Sequence, residues 1–83
     1  MHRATPKFWT RLAALPAPVQ TLAHRNFELL KQDPKHPSLR FKKVGRFWSA
    51  RVGLDHRALA VEDGPDFVWV WIGSHDDYNR LIR

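Results

Sequence analysis

Residues 47–73 read FWSARVGLDHRALAVEDGPDFVWVWIG, three runs of strand-favouring residues separated by two turn signals. The turns are Gly53-Leu54-Asp55 and Asp63-Gly64-Pro65, which contain residue types that favour tight reversals of the chain. The strands are expected at Phe47 to Val52, His56 to Glu62 and Phe67 to Gly73. Strands joined by turns this short pair antiparallel, so the stretch predicts a β-meander.

Two further features complete the predicted sheet. The last strand, Phe67-Val68-Trp69-Val70-Trp71-Ile72, is apolar on both faces, which predicts cover on both sides. One more strand precedes the stretch, from about Leu39 to Val44, and Gly45-Arg46 forms its turn. The expected sheet therefore has four antiparallel strands.

The N-terminal part of the chain has helical periodicity. A helix is expected over residues 6–15, with Thr5 as its N-cap and Pro6 at its first position. A second helix is expected over residues 18–32, where Asp33-Pro34 stops it. Because the break between them is short, the two helices should form an antiparallel hairpin.

A short helix is expected at the end of the chain. Ser74 resembles an N-cap. Asp76 and Asp77 follow in the first turn, where carboxylates favour a helix, and the helix should end near Ile82. With the helical hairpin packed on the four-stranded antiparallel sheet, the prediction is an α+β fold in a single domain over residues 1–83.

Composition excludes several classes of protein. The 83 residues are 43% hydrophobic and 27% charged, which is ordinary for a globular domain and not for a disordered chain. The chain has no cysteine, so disulfides and thiolate metal sites are excluded, and no metal or other cofactor is expected. No apolar run approaches the ~20 residues that span a bilayer, and no secretory signal is evident. We expect a cytoplasmic protein without a membrane partner.

Positive charge is concentrated in the predicted sheet. The formal net charge is +6 at pH 7, and residues 35–57 hold seven cations against the single carboxylate of Asp55. Like charges on neighbouring strands repel, so the pattern predicts an anionic partner, with nucleic acid as the first candidate. The residues expected to bind it are Arg40, Lys42, Lys43 and Arg46. An alternative is that these cations protect an edge strand from aggregation.

The loop length determines which face each arginine occupies. If Gly53-Leu54-Asp55 is a three-residue loop, Val52 pairs with His56, and Arg51 then lies directly opposite Arg57. If the loop has two residues, Arg57 falls on the other face, because a shift of one residue reverses the faces of a strand. We favour the first register because it collects small residues where helices can approach. It places Trp48, Ala50, Ala58 and Ala60 on the helix side.

Three segments resemble one protein family. Residues 36–44 (HPSLRFKKV), 48–59 (WSARVGLDHRAL) and 71–78 (WIGSHDDY) resemble the RelE/ParE superfamily of toxins from bacterial type II toxin-antitoxin systems. The hairpin motifs Trp-Ser-x-Arg and His-Arg-x-Leu look most like the YoeB branch, whose members cleave messenger RNA on the ribosome. The resemblance implies a RelE-like fold, a cognate antitoxin as partner and messenger RNA on the ribosome as substrate.

The resemblance also implies catalytic roles. In such enzymes an arginine at the place of Arg57 stabilises the phosphate, and a second arginine lies near Arg51. A C-terminal histidine and tyrosine take part in acid-base steps, and His75 and Tyr78 are the nearest matches. In YoeB-like proteins these two residues are adjacent, whereas Asp76-Asp77 separates them here.

Other departures leave alternatives open. The segment Val44-Gly45-Arg46-Phe47 holds no match for the glutamate that acts as base in the YoeB branch. A RelE-like site that relies on lysines and arginines is an alternative, and Lys42, Lys43 and Arg46 could supply it. The N-terminal strand that is usual in the superfamily extends at most from His2 to Ala4.

Three function hypotheses follow from the resemblance. The first is a ribosome-dependent messenger RNA endoribonuclease that represses translation and is neutralised by a cognate antitoxin. The second is a ParE-like toxin that inhibits DNA gyrase by binding and performs no hydrolysis. The third is a catalytically silent module that binds antitoxin or nucleic acid. The discriminating feature is whether Arg51, Arg57, His75 and Tyr78 converge in space.

Overall fold

Over residues 1–82, which the computed structural model describes, five strands form one sheet. In chain order the elements are β1 (His2–Ala4), α1 (Pro6–Ala13), α2 (Ala17–Gln32), a 3-10 turn (Pro37–Leu39), β2 (Lys42–Val44), β3 (Phe47–Val52), β4 (His56–Asp63), β5 (Asp66–Ser74) and α3 (His75–Ile82). None of the helices in this part of the chain is long and apolar enough to cross a bilayer.

The strands lie in the order β1-β5-β4-β3-β2, and β2 to β5 form the predicted antiparallel meander. The short N-terminal strand is present as well. It pairs parallel to β5, with His2 opposite Phe67 and Ala4 opposite Trp69. The sheet is therefore mixed, and the predicted α+β fold is confirmed.

Several boundaries differ from the prediction. The strand expected from Leu39 begins only at Lys42, because Leu39 closes a 3-10 turn and Arg40 adopts a left-handed conformation with φ of 44°. That conformation reverses the chain locally and cannot continue an extended strand. The first helix ends at Ala13 and not at residue 15. Asp63 pairs with Asp66, so the turn after β4 contains two residues and not three.

Side-chain caps fix the start of two helices as predicted. The Thr5 Oγ1 atom accepts a hydrogen bond from the backbone N–H of Phe8 at 3.1 Å, which begins α1. The Ser74 Oγ atom accepts from the backbone N–H of Asp77 at 3.1 Å, which begins α3 directly after β5. Because β5 passes into α3 without a loop, the position of α3 depends on the end of β5.

The main core lies between one face of the sheet and the helices α1 and α2. Its largest fully buried side chains are Trp69, Leu39 and Ile72. The prediction for the helix side is confirmed, since the core includes Trp48, Ala50, Ala58 and Ala60. Alanines at three of these positions let the helices approach the sheet closely.

The other side of the sheet is called the open face below. Side chains alternate between faces along a strand, and residues directly opposite each other share a face. From the observed pairs, the open face contains Lys42, Ser49, Arg51, Arg57, Leu59, Trp71 and Gly73. Leu59 and Tyr78 are buried but lie outside the main core, which is consistent with α3 covering part of this face.

Candidate active site

Arg51 and Arg57 are directly opposite each other on β3 and β4. The loop between them has three residues, so Val52 pairs with His56, and the register predicted from the sequence is confirmed. Gly53 makes this turn possible, because its φ of +69° is rarely adopted by residues with a side chain. The loop geometry therefore places the two arginines opposite each other on the open face.

Each arginine donates a hydrogen bond to a backbone carbonyl at this end of the hairpin, Arg51 to the loop and Arg57 to the first residue of β4. The Nε atom of Arg51 donates to the carbonyl oxygen of Gly53 at 3.0 Å, and Nη1 of Arg57 donates to that of His56 at 2.9 Å. The backbone N–H of His75 donates to the carbonyl oxygen of Asp55 at 2.7 Å. The loop thus joins the arginine pair to the first residue of α3.

The positive charge of the pair is not neutralised nearby. Within residues 1–82, neither arginine has a carboxylate oxygen within 4.0 Å. Partial burial lowers the pKa of Arg57, and the charges of Arg51 and Arg40 lower it further, while Tyr78 acts in the opposite direction. A cluster of cations with this electrostatic environment favours an anion between them.

Helix α3 brings the two predicted acid-base residues to the same region. Tyr78 is only 6% exposed and lies close enough to Arg57 to influence its pKa. The His75 ring stacks on the Tyr78 ring, with centroids 6.3 Å apart and planes 25° apart. The Nδ1 atom of His75 is 3.5 Å from the side-chain nitrogen of Asn79. The register, the shared loop and α3 therefore bring the predicted catalytic residues together.

The four residues predicted to bind RNA do not share one surface. Arg40 lies near enough to Arg57 to lower its pKa, and Lys42 lies on the open face opposite Ser49. Lys43 points to the helix side, where its Nζ atom is 3.7 Å from a carboxylate oxygen of Glu62. Arg46 occupies a turn.

The Arg46 guanidinium lies 5.3 Å from the centre of the Phe47 ring. That contact gives this arginine a packing role within its own turn. Of the four predicted RNA-binding residues, Arg40 and Lys42 are therefore the two whose charges act together with the arginine pair.

Two carboxylates that could have served as a base are engaged elsewhere. Glu62 accepts a hydrogen bond from the Trp48 indole and lies on the helix side. Asp77 pairs with Arg80, whose hydrogen bond is the main reason that the pKa of Asp77 is lowered. His75 and Tyr78 remain as the acid-base candidates beside the arginines. Within residues 1–82, no group of three histidine or acidic side chains is placed to hold a metal ion.

Arg11 is a further cation at this surface that sequence reasoning missed. It comes from α1, and its Nε atom donates to the carbonyl oxygen of Ile72 in β5 at 2.9 Å. Its guanidinium lies 5.2 Å from the centre of the Trp71 ring. The residue lies on a helix with no neighbouring motif, so only the packing of α1 against β5 could reveal its position.

Comparison with solved structures finds the same fold in known toxins. A chain of the RelB-RelE antitoxin-toxin complex from Methanococcus jannaschii superposes with a TM-score of 0.75 at 13% identity, covering 98% of this chain and 99% of that chain. The YoeB/ParE toxin from Agrobacterium tumefaciens gives 0.69 at 14% identity, covering 89% and 96%. A chain of the archaeal RelE-RelB complex from Pyrococcus horikoshii gives 0.65 at 16% identity, covering 88% and 91%.

These solved structures show that the chain has the RelE-like fold, and a family model assigns it to the toxins of the RelE/ParE superfamily. The family model of the ParE-like toxin domain matches residues 18–80, and the chain belongs to this family. No curated protein matches the sequence significantly.

Proposed function

We propose that this protein is an endoribonuclease that cuts messenger RNA on the ribosome in the cytoplasm and is neutralised by a cognate antitoxin. The observation that carries the proposal is the Arg51 and Arg57 pair on the open face, with Tyr78 on α3, the helix that contacts β4. The two arginines have no carboxylate partner, so their guanidinium groups can both donate hydrogen bonds to the oxygens of one RNA phosphate.

The proposed reaction is attack of a ribose 2′-hydroxyl on the adjacent phosphodiester. The bond from the 2′-oxygen to phosphorus forms, the bond from phosphorus to the 5′-oxygen breaks, and negative charge develops on the other phosphate oxygens. Arg57, with Arg51 as helper, stabilises that charge. His75 accepts the 2′ proton and Tyr78 protonates the 5′-oxygen as it leaves.

An antitoxin partner has separate support. Two of the similar solved structures are antitoxin-toxin complexes, from Methanococcus jannaschii and Pyrococcus horikoshii. The open face of this chain presents Lys42, Arg51 and Arg57, and the charge of Arg40 adds to the positive potential at Arg57. An acidic antitoxin segment complements such a surface electrostatically and would compete with RNA for it.

A second candidate is inhibition of DNA gyrase by binding alone. The observation that favours it is the match to the ParE-like toxin domain model over residues 18–80. In that case the arginines would contact gyrase or its DNA, and His75 and Tyr78 would have no proton to transfer.

One experiment separates the two candidates. The purified protein is added to a translating extract, where message ends are mapped by primer extension, and in parallel to a gyrase supercoiling reaction. We expect new message ends that depend on active ribosomes, and unchanged supercoiling. Intact message together with arrested supercoiling would favour gyrase as the target.

A further inference from the structure

Arg11 is a half-buried arginine at the edge of the open face that the proposed reaction does not use. Strand β1 pairs with Phe67, Val68 and Trp69, so beyond Trp69 the outer edge of β5 has no neighbouring strand among residues 1–82. There the Nε atom of Arg11 donates a hydrogen bond to the carbonyl oxygen of Ile72 at 2.9 Å. The guanidinium is thus attached to the sheet by one edge.

The Trp71 indole links Arg11 to the arginine pair. The indole lies so close to Gly73 that a Cβ atom there would be 2.5 Å from the ring, and Gly73 is directly opposite Arg57. The Arg11 guanidinium lies 5.2 Å from the centre of the same indole. Arg51, Arg57 and Trp71 therefore follow one another across β3, β4 and β5, and Arg11 of α1 lies against Trp71 at the outer edge.

The charge of Arg11 has no partner in the described part of the chain. No carboxylate oxygen of residues 1–82 lies within 4.0 Å, and its two Nη atoms donate no hydrogen bond. Arg11 does contribute to lowering the pKa of Asp77, but that carboxylate is paired with Arg80. By contrast, Arg3 and Lys43 are each paired with a carboxylate.

We propose that Arg11 binds the phosphate next to the scissile one on the same RNA strand. The inference rests on the proposed function, because it places the RNA along the open face. The bond to Ile72 and the stacking on Trp71 fix the plane of the guanidinium, and the Nη atoms remain free for a phosphate. A guanidinium fixed in this way loses little freedom on binding.

The test measures binding without cleavage. A fluorescent single-stranded RNA with 2′-O-methyl groups throughout has no hydroxyl for the attack, and its affinity is followed by anisotropy over a range of salt concentrations. Arg11→Gln should weaken binding and reduce the slope of log K against log salt by roughly 0.7, the value for one phosphate contact of a single strand. Arg11→Lys keeps the charge and should keep the slope.

The matched control is Arg25→Gln, which removes an exposed arginine from α2 on the other side of the sheet. It should leave the slope unchanged. Thermal melting checks that each variant is folded, and if Arg11→Gln is not, Arg11→Met keeps the aliphatic stem and should show the same reduced slope.

The outcomes distinguish this inference from the proposed function. Suppose that the parent cuts message and binds the RNA, and that Arg11→Gln has the same slope of log K against log salt as the parent. This result overturns only the role of Arg11. An equal change in Arg25→Gln also overturns that role, because the slope would then follow net charge alone. A parent that neither binds this RNA nor cuts message overturns both proposals.

Discussion

Arg51 and Arg57 face each other across neighbouring strands, and each donates a hydrogen bond to a backbone carbonyl, Arg51 to that of Gly53 in the connecting loop and Arg57 to that of His56 at the start of β4. Like charges that are directly opposite in a sheet destabilise it, by about 0.2–1 kcal/mol per pair. The hydrogen bonds to Gly53 and His56 keep the two guanidinium groups in place in spite of this repulsion. The site is therefore prepared for an anion before RNA arrives.

The first prediction is that inorganic phosphate stabilises the fold through this pair. At about ten times its Kd, phosphate should add about 1.4 kcal/mol to the free energy of unfolding. For a chain of this size, that is several degrees in melting temperature. Arg51→Gln should lose most of the difference between phosphate and chloride at equal ionic strength, as measured by calorimetry. Arg25→Gln, which removes an exposed arginine from α2 on the helix side of the sheet, should keep it, and an identical response in parent and Arg51→Gln would count against the anion site.

The second prediction concerns His2 and pH. The Nδ1 atom of His2 accepts a hydrogen bond from the Trp69 indole at 3.1 Å, and the ring stacks on Phe67. Burial lowers the pKa of His2, and the N-terminal amine and Lys31 lower it further. Below the unfolded pKa of about 6.5, the unfolded chain therefore binds the proton before the folded chain does.

Stability should consequently fall as the pH drops below about 6.5, and the loss should continue until the lowered pKa of folded His2 is reached. His2→Gln keeps an acceptor for Trp69 but cannot be protonated, so its melting temperature should change less between pH 7.5 and 5.5. His24→Gln, at an exposed position on α2, should behave like the parent. Equal pH dependence in parent and His2→Gln would assign the effect to other groups.

The third prediction separates two adjacent lysines. Lys42 lies on the open face, whereas Lys43 lies on the helix side and pairs with Glu62. Lys42→Gln should reduce the salt slope of RNA binding by roughly 0.7, and Lys43→Gln should leave it nearly unchanged. Each variant is the control for the other, since both remove one charge from the same strand. Equal slopes in the two variants would mean that β2 acts only through its net charge.

Local signals were sufficient to predict the register that matters most for the site. The loop could have had two or three residues, and the alanines of β3 and β4 favoured the three-residue loop that places Arg51 opposite Arg57, a pairing that the structure confirms. The helix caps Thr5 and Ser74 could also be predicted from the sequence, because a cap and its partner lie within three residues of each other.

Features that depend on long-range packing could not be predicted in this way. Arg40 is left-handed and comes directly after Leu39, which is buried in the core, and no local propensity indicates this arrangement. Arg11 reaches Ile72 across 61 positions of the chain. Alternation along a strand puts Lys42 and Lys43 on opposite faces, and the observed strand pairing shows that Lys42 is the one on the open face.

The central claim is that Arg57 stabilises the charge that develops on the scissile phosphate. Arg57 is half-buried on the open face, so Arg57→Ala should cost no more than ~1 kcal/mol in folding free energy. Arg46→Ala is the matched control, because it removes an arginine that stacks on Phe47 in a turn away from the pair.

The most direct measurement is the rate of message cleavage by Arg57→Ala in a translating extract, with thermal melting recorded on the same preparation. The predicted result is a folded protein whose cleavage rate is lower by a factor on the order of 10² or more, while Arg46→Ala cuts at nearly the parent rate. A folded Arg57→Ala protein that cuts message as fast as the parent would contradict the claim.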